Sequence, residues 1–310
     1  MPAAPPQQSP RRWGRGRGGP RALDGATTPP RSTRSLRLWA GWTLAALCLL
    51  ATLAPLRAEA QAPDTLVVVT LNIWHDQGDW PARLDLIERD LRALRPDVVF
   101  LQEVLQKEGL PNQARTIADR LGFAHVHFVS VDSAGAPKRY GNAILSAHPF
   151  AETAERRLPP LDAFRTAAYA QIEVGGRPVR LYTTHLHHPA TPEGRGVRAM
   201  EIAHLLDFVA STGGDAPLVL GGDFNAEPSW PEMRMLGGLR DLGGAGITWG
   251  PPYAGAAGRR IDYLFDAADA RLVPVAAGVA LDRPARDGDG AGAGRYPSDH
   301  FAVFARFLLP

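Results

Sequence analysis

The chain between Thr65 and Glu103 constrains the fold most, because it predicts a strand, a helix and a second strand in succession. The β-branched run TLVVVTL ends at Asn72, which is typical of a buried strand. A helix is expected between Asp79, a capping carboxylate, and Pro96, since apolar residues recur there at helical spacing. In an α/β fold, polar residues at the ends of two such strands can converge in one active site. Taken singly, Asn72 and Glu103 also fit a turn asparagine and a solvated glutamate.

A second motif follows an apolar run that begins at Pro217 and continues as LVLGGDFNAEP. The run predicts a short buried strand, and its two glycines are expected to let the backbone turn tightly. Asp223 and Asn225 would then face one small volume, which suits a hydrated metal ion, a phosphate oxygen or an attacking water. Gly-Gly-Asp is also ordinary turn chemistry, so this motif alone leaves both interpretations open.

Residues 62–310 are predicted to form one domain, since no interior linker or repeat divides them. Two alternating strands joined by Gly175-Gly176 predict a hairpin. Residues 138–142 are expected to form a basic turn that contains an aromatic residue. Further helices are predicted at 112–121 and 193–210, and further strands at 124–130, 143–146, 166–174, 178–184, 260–265 and 301–308.

The first 60 residues are not expected to belong to that domain. Residues 1–37 are rich in proline, arginine and glycine, which predicts a disordered basic segment. Residues 38–60 contain an apolar run followed by overlapping A-x-A sites, which predicts a secretory signal peptide and a secreted or periplasmic protein. The run is also close to the roughly 20 residues that span a bilayer, so a retained membrane anchor with the domain outside is the alternative.

Removal of this leader would change the composition of the protein. Cys48, the single cysteine, lies within it, so the domain would have no disulfide, no thiol nucleophile and no cysteine-bound zinc. The full chain has a net charge of +2. Residues 1–60 hold nine arginines and two acids, which leaves 25 basic and 30 acidic residues and a net charge of about −5. Such a domain would attract a polyanion only through a local basic patch.

Ten polar residues at or near the predicted strand ends form the candidate site. Their carboxylate and amide oxygens suit a hard cation such as Mg²⁺ or Mn²⁺. Their histidines suit proton transfer or the stabilisation of charge. No G-x-S-x-G motif is present, so a serine nucleophile has no support. The ten residues are Asn72, Glu103, Asn142, Arg165, His185, Asp223, Asn225, Asp262, Asp299 and His300.

The order of the motifs around these residues resembles the endonuclease/exonuclease/phosphatase superfamily of metal-dependent phosphohydrolases. This superfamily includes deoxyribonuclease I-like, exonuclease III-like and neutral sphingomyelinase-like enzymes. The resemblance covers residues 66–304 and implies a four-layer α/β/β/α sandwich, in which two packed mixed sheets carry helices outside. The motifs are TLN at Asn72, LQE at Glu103, GNAILS at Asn142, TTHL at His185, GGDFN at Asp223, RIDY at Asp262 and SDH at Asp299.

The resemblance also implies roles. Glu103 would be the main metal carboxylate, and Asn72 and Asp299 would complete the metal site. Mg²⁺ is the expected ion and Mn²⁺ the alternative. The catalytic histidine would be His300, either as a base or as an electrostatic stabiliser, and it would be oriented by Asp262. The water would be positioned or deprotonated by Asp223. The substrate phosphate would be contacted by Asn225, His185, Asn142 and Arg165, the last two as phosphate contacts or as site-ordering residues. His185 would stabilise the phosphate or serve as an acid.

These features predict an exported Mg²⁺-dependent phosphoric ester hydrolase, most simply a phosphodiesterase that uses water as the nucleophile. Nucleic acid, a phospholipid headgroup and a small phosphoester compete as the substrate. A non-catalytic binding module of the same fold is the alternative from another class. No obligate protein partner is evident, and a monomer is expected.

Other histidines and tryptophans are predicted to have ordinary structural roles. Trp230 and Trp249 are expected to pack in the fold, whereas Trp74 and His75 are candidates for the mouth of the pocket. Surface or loop positions are expected for His75, His125, His127, His148, His187, His188 and His204.

Overall fold

Two mixed six-stranded sheets form the centre of the computed structural model, which describes residues 64–244, 246–250, 258–286 and 294–310. The helices are α1 (Trp80–Leu94), α2 (Gln113–Leu121) and α3 (Pro192–Ser211), and two short 3-10 helices span Leu161–Ala163 and Pro231–Leu236. The strands are β1 (Asp64–Asn72), β2 (Val98–Lys107), β3 (His125–Ser130), β4 (Lys138–Ser146), β5 (Phe150–Leu158), β6 (Arg165–Val174), β7 (Arg177–His185), β8 (Leu218–Asp223), β9 (Arg240–Asp241), β10 (Asp262–Asp266), β11 (Val273–Ala280) and β12 (Ala302–Leu309).

Each sheet has one parallel pair of strands at its centre. The first sheet has the order β11-β12-β1-β2-β4-β3, and the second has the order β5-β6-β7-β8-β10-β9. β1 pairs with β2 in parallel through the crossover helix α1, and β7 pairs with β8 in parallel through α3. All other pairs are antiparallel. In the first sheet, Asn72 ends β1 and Glu103 follows Gln102, the last residue of β2 that pairs with β1. In the second sheet, His185 and Asp223 end β7 and β8.

Three apolar clusters hold the layers together. The central cluster lies between the sheets and joins residues such as Val68 and Phe100 to Leu181 and Val219. A second cluster packs α1 and α2 on the outer face of the first sheet. A third packs α3 on the outer face of the second sheet. The predicted four-layer α/β/β/α sandwich is therefore confirmed.

Several local predictions are also confirmed. α1 begins after Asp79, whose carboxylate accepts a hydrogen bond from the N–H of Ala82. Gly175 and Gly176 have φ values of 57° and 75°, as a two-residue hairpin turn with positive φ at both positions requires. The predicted helices at 112–121 and 193–210 and the predicted strands agree with observed elements apart from their ends.

Two local predictions are wrong. Residues 138–142 do not form a turn, because they begin β4 and pair with β2. Glu103 does not end its strand, because β2 continues to Lys107. The register of the β2–β4 pair instead shifts between Leu101 and Val104, so Glu103 lies in a bulge. Three strands were not predicted, namely β5, β9 and β11.

The predicted disordered segment, residues 1–37, and the predicted signal segment, residues 38–60, lie outside the described residues. Among the helices that are described, none has the length and apolar character needed to cross a membrane.

Candidate active site

A cleft of about 360 Å³ opens where the carboxyl ends of the central strands of both sheets meet. Seven of the ten predicted site residues line it: Glu103, Arg165, His185, Asp223, Asn225, Asp299 and His300. Asn72 and Asp262 are fully buried and hydrogen-bond to cleft residues. Asn142 lies apart, which leaves nine of the ten in or directly against one cleft.

Asp223, at the end of β8, is the carboxylate on which the hydrogen bonds of the site converge. Its Oδ2 accepts from Asn72 Nδ2 at 3.0 Å and lies 3.4 Å from His185 Nε2 and 3.9 Å from His300 Nε2. Its Oδ1 accepts from the backbone N–H of Asn225 at 2.9 Å. Burial and the charge of Asp262 raise the pKa of Asp223 to about 7, although His300 and the hydrogen bonds from Asn72 and Asn225 act to lower it.

Two glycines allow β8 to approach its neighbours closely, which differs from the tight turn that the sequence suggested. A Cβ on Gly222 would lie 2.0 Å from the carbonyl oxygen of Thr184, and its φ of 141° is unfavourable for any side chain. A Cβ on Gly221 would lie 2.5 Å from Leu264. The glycines remain within the strand and bring Asp223 opposite both His185 and Asp262.

His300 and Asp262 form a buried hydrogen-bonded pair. The distance from His300 Nδ1 to Asp262 Oδ2 is 2.9 Å. Burial alone would lower the pKa of His300, but the charge and hydrogen bond of Asp262, together with Asp223, raise it to about 10. Thr248 accepts from the backbone N–H of Asp262 and fixes that strand end. The imidazole is therefore protonated at neutral pH and directs Nε2 towards Asp223.

His185 has the opposite electrostatic character. Burial lowers its pKa well below the usual value, and the nearby charges of Arg165 and His300 lower it further. Two imidazoles thus lie within 4 Å of Asp223, His185 neutral and His300 protonated.

The bulge in β2 directs Glu103 into the cleft. Glu103 has a φ of 59°, which is unusual for a residue other than glycine and is a known use of bulges beside active sites. Its Oε1 accepts from Asn72 Nδ2 at 3.2 Å, and its Oε2 lies 3.9 Å from His75 Nε2. Tyr140 also hydrogen-bonds to Glu103, and burial together with the charge of Glu103 raises the pKa of this phenol, which stays protonated.

Asn72 links the two carboxylates through its amide nitrogen. Nδ2 donates to Glu103 and to Asp223, while Oδ1 accepts from the backbone N–H of Trp74 at 3.0 Å. The backbone N–H of Trp74 fixes this orientation of the Asn72 side chain. If the side-chain amide were reversed, its NH2 group would face the N–H of Trp74, and two donors would meet. The structure therefore places the nitrogen of Asn72, and not the oxygen needed for a metal ligand, toward the carboxylates.

A divalent cation fits the oxygen donors on the Glu103 side of the cleft. Glu103 and Asp299 both line the cleft, and neither carboxylate pairs with a lysine or arginine in the part of the chain that the structure describes. A second acidic group, formed by Asp223, Asp262 and His300, has ligand atoms within 4.8 Å of one another. In that group His300 is protonated and bonded to Asp262, which suits a proton-sharing pair better than a metal site. Carboxylate oxygens favour a hard cation.

Arg165 and Asn225 are the cleft residues best placed to contact an anion. Arg165 begins β6 and forms no ion pair with any described residue, and its buried Nε has no hydrogen-bond partner. Asn225 has a φ of 50° and uses one amide hydrogen on the carbonyl of Leu186. Asn142 does not line the cleft, because its Nδ2 bonds to Thr166 between the two sheets. Of its two predicted roles, this geometry favours the ordering of the site.

Some residues of the cleft were missed or were only weakly indicated by the sequence. Tyr140 and His188 line it although they were assigned to a turn and to the surface. Trp249 also lines it, with the guanidinium of Arg259 stacked 4.6 Å from its ring, although it was predicted to be a packing residue. Trp74 and His75 do stand at the cleft as the sequence suggested. Contacts between segments that are distant in sequence bring these residues to the site, so no local signal identifies them.

Comparison with known proteins gives a consistent result. The model of the Endonuclease/Exonuclease/phosphatase family matches residues 69–300. A Drosophila melanogaster protein named "Putative neutral sphingomyelinase" is 29% identical over 189 residues, covering 55% of this chain and 41% of that protein. Nocturnin from the same organism is 27% identical over 282 residues, covering 74% of this chain and 42% of that protein. The chain thus spans about two fifths of the length of these relatives.

A solved structure agrees as well. The endonuclease/exonuclease/phosphatase protein from Beutenbergia cavernae is 25% identical, has a TM-score of 0.61, and is similar over 79% of this chain and 72% of its own. The match of the family model extends from β1 to His300 and so includes every strand end that borders the cleft. On this basis, the chain belongs to the endonuclease/exonuclease/phosphatase family.

Proposed function

We propose that this protein is a phosphodiesterase that hydrolyses its substrate by in-line attack of water with the help of a divalent metal ion, Mg²⁺ in the first place. The observation that carries the proposal is the position of Asp223, which lies between the His300–Asp262 pair, His185 and the amide of Asn72. Such convergence of a carboxylate, a protonated imidazole and a neutral imidazole suits the alignment of water and the stabilisation of a charged phosphoryl group.

Glu103 and Asp299 would hold the metal ion, which would supply Lewis acidity and charge neutralisation when bound. Asn72 would act through its amide, which holds Glu103 and Asp223 in a fixed relation. This assignment departs from a direct ligand role for Asn72.

The proton chemistry is assigned to the residues around Asp223. Asp223 would orient the attacking water and receive its proton. Of the two roles open to His300, the donor role is favoured, because an imidazole already protonated by its pairing with Asp262 stabilises phosphate oxygens and cannot accept a proton. Arg165, Asn225 and His185 would contact the non-bridging oxygens.

Hydrolysis assays with the purified protein test this proposal. Plasmid DNA, sphingomyelin, a phosphoinositide and bis(p-nitrophenyl) phosphate would be offered in parallel, each with Mg²⁺ and with EDTA. The expected result is metal-dependent turnover of at least one substrate. His300→Ala should lower the rate of that turnover by about a hundredfold or more. Turnover that persists in EDTA, or in a folded His300→Ala variant, would contradict the assignment of the site.

We further propose that residues 38–60 direct export and that the enzyme works outside the cytoplasm. The proposal rests on the apolar run and the A-x-A sites of the sequence. Amino-terminal sequencing of protein recovered from the periplasm or medium of an expression host tests it. Cleavage near residue 60 is expected. An uncleaved chain in the membrane fraction would support the anchor instead, and an uncleaved cytoplasmic chain would contradict export.

A further inference from the structure

A second groove of about 670 Å³ adjoins the catalytic cleft. The two cavities share Tyr140, Arg165 and His188 in their walls, so a ligand held in the cleft can continue directly into the groove. The groove is also lined by Lys138 from β4 and by Phe164, which follows the short 3-10 helix between β5 and β6. We call it the Lys138–Phe164 groove.

The cations of this groove are not paired with acids. Arg165 and Lys138 form no ion pair with any residue in the described ranges, and the buried Nε of Arg165 lacks an acceptor. Two carboxylates also line the groove. Asp132 accepts hydrogen bonds from the side chain of Ser130 and from the backbone N–H of Tyr140, while Asp162 is exposed. An anionic group placed between Arg165 and Lys138 would therefore meet two cations that form no ion pair with any described carboxylate.

The two histidines of the groove add no positive charge at neutral pH. Burial lowers the pKa of His187 and of His188, and the charge of Arg165 lowers both further. They present neutral, flat rings beside the unpaired cations. The groove thus combines two localised cations with uncharged aromatic surface.

Phe164 is the most exposed large apolar side chain among the described residues, at 67%. Its φ of 58° is a strained conformation for an aromatic residue. An exposed ring on a strained backbone adds nothing to the stability of the fold, so an intermolecular role explains it better. Exposed aromatic rings next to unpaired cations are the usual platform for single-stranded nucleic acid, whose bases stack while its phosphates pair.

We infer that the Lys138–Phe164 groove binds the nucleotide next to the scissile phosphate of a single-stranded nucleic acid, with a base on Phe164 and the neighbouring phosphate at Lys138. The inference rests on the proposed phosphodiesterase function and names its substrate class. A choline headgroup is disfavoured because its ammonium would face Arg165 and Lys138. An inositol phosphate would use the cations but would leave Phe164 without a flat partner.

Steady-state kinetics with two substrates test the inference. The full-length protein and its Lys138→Ala and Phe164→Ala variants would be assayed on a labelled single-stranded DNA oligonucleotide and on bis(p-nitrophenyl) phosphate. In each variant, kcat/KM for the oligonucleotide is expected to fall by about fivefold or more. The factor by which kcat/KM falls for the aryl diester should be smaller by at least about fivefold. Lys138→Ala should also reduce the slope of log(kcat/KM) against log[salt] by about 0.7. Neither variant should lower the melting temperature.

Matched controls separate the groove from its surroundings. Leu161→Ala removes the other exposed apolar side chain of the same loop, which does not line the groove. Arg271→Ala removes a cation that is paired with Asp269 and lines a different cavity. Both controls should retain the oligonucleotide kinetics of the wild type. Equal losses in variants and controls would overturn the inference.

The remaining outcomes are distinguishable. Cleavage of the aryl diester without cleavage of the oligonucleotide would overturn the groove assignment and leave the proposed function standing. Both Phe164→Ala and Leu161→Ala could instead lose binding to phosphatidylcholine–phosphatidylserine vesicles while their oligonucleotide kinetics stay unchanged. That result would overturn the inference and show that these two side chains bind a membrane surface. If no ester is cleaved, the proposed function fails, and fluorescence anisotropy with the oligonucleotide then tests the groove by itself. Weaker oligonucleotide binding in Lys138→Ala than in the wild type would support the groove as a binding site, and no binding by the wild type would overturn the inference.

Discussion

At the scale of single residues, the site depends on the pairing of His300 with Asp262. The pair is buried, and Asp262 Oδ1 has no hydrogen-bond partner among the described residues. The charge of Asp262 acts on the imidazole of His300 and on Asp223. The charge explains why the pKa of His300 is raised in spite of its burial. Asp262 is therefore expected to determine both the orientation and the protonation of His300.

Asp262→Asn tests this role. The amide can still accept a hydrogen bond from His300 Nδ1, but the negative charge is lost, so the imidazole becomes less basic. We expect kcat to fall by about a hundredfold or more while the protein remains folded. The matched control is Asp266→Asn on the same strand, which removes a carboxylate bonded to Arg240 away from the cleft. A folded Asp262→Asn variant with the kcat of the wild type would disprove the role.

At the scale of elements, α3 holds the loop that follows His185 and carries His188. Arg198, fully buried, donates from Nη1 to the carbonyls of His187 and Pro189 and pairs with Glu232. Glu201 Oε2, also buried, accepts from the N–H of His187 at 2.8 Å. Two adjacent turns of one helix thus fix the backbone that follows the end of β7.

Glu201→Gln should alter how stability depends on pH. Burial raises the pKa of Glu201 to about 7, above the 4.5 of the unfolded chain. The folded state then binds more protons than the unfolded state between pH 4.5 and 7, so the free energy of unfolding falls as pH rises through this range. The loss is on the order of 1–3 kcal/mol.

Urea unfolding at pH 5 and pH 8 measures this effect. The glutamine keeps an acceptor for His187 but does not titrate, so the variant should lose less stability than the wild type between these pH values. An identical pH dependence in the two proteins would show that the carboxyl group of Glu201 titrates normally.

Gly222→Ala should be strongly destabilising, because the methyl group would meet the carbonyl of Thr184 at a φ that only glycine adopts easily. We expect the free energy of unfolding to fall on the order of 2–5 kcal/mol. Gly238→Ala is the control, since nothing lies within 4 Å of its added methyl group. Comparable denaturant midpoints for the two variants would show that β8 tolerates a side chain.

The same elements show what a sequence can predict. β1 and α1 were predictable, because their β-branched run, capping carboxylate and terminating proline act locally. The bulge at Glu103 was not, because it arises from pairing with β4 across the sheet. β5 and β11 were missed because one is a mostly polar strand at a sheet edge and the other is a proline- and alanine-containing edge strand.

At the scale of the whole molecule, the cleft is built equally by two sheets. Asn72 and Glu103 come from the parallel pair of one sheet, and His185 and Asp223 come from that of the other. Nine of the ten predicted site residues lie in or directly against this cleft, and the sequence singled them out because they stand near the ends of predicted strands. Their mutual distances and the neighbouring groove depend on the packing of the sheets, which no local pattern specifies.

The central claim is that Glu103 binds a divalent metal ion that is required for phosphodiester hydrolysis. The most direct measurement is the rate of bis(p-nitrophenyl) phosphate hydrolysis against Mg²⁺ concentration for the wild type, Glu103→Gln and the control Glu108→Gln, which changes an exposed acid just after β2. We predict a saturable Mg²⁺ dependence for the wild type and the control, and a loss of about a hundredfold or more for folded Glu103→Gln. A Glu103→Gln enzyme with the rate and Mg²⁺ dependence of the wild type would contradict the claim.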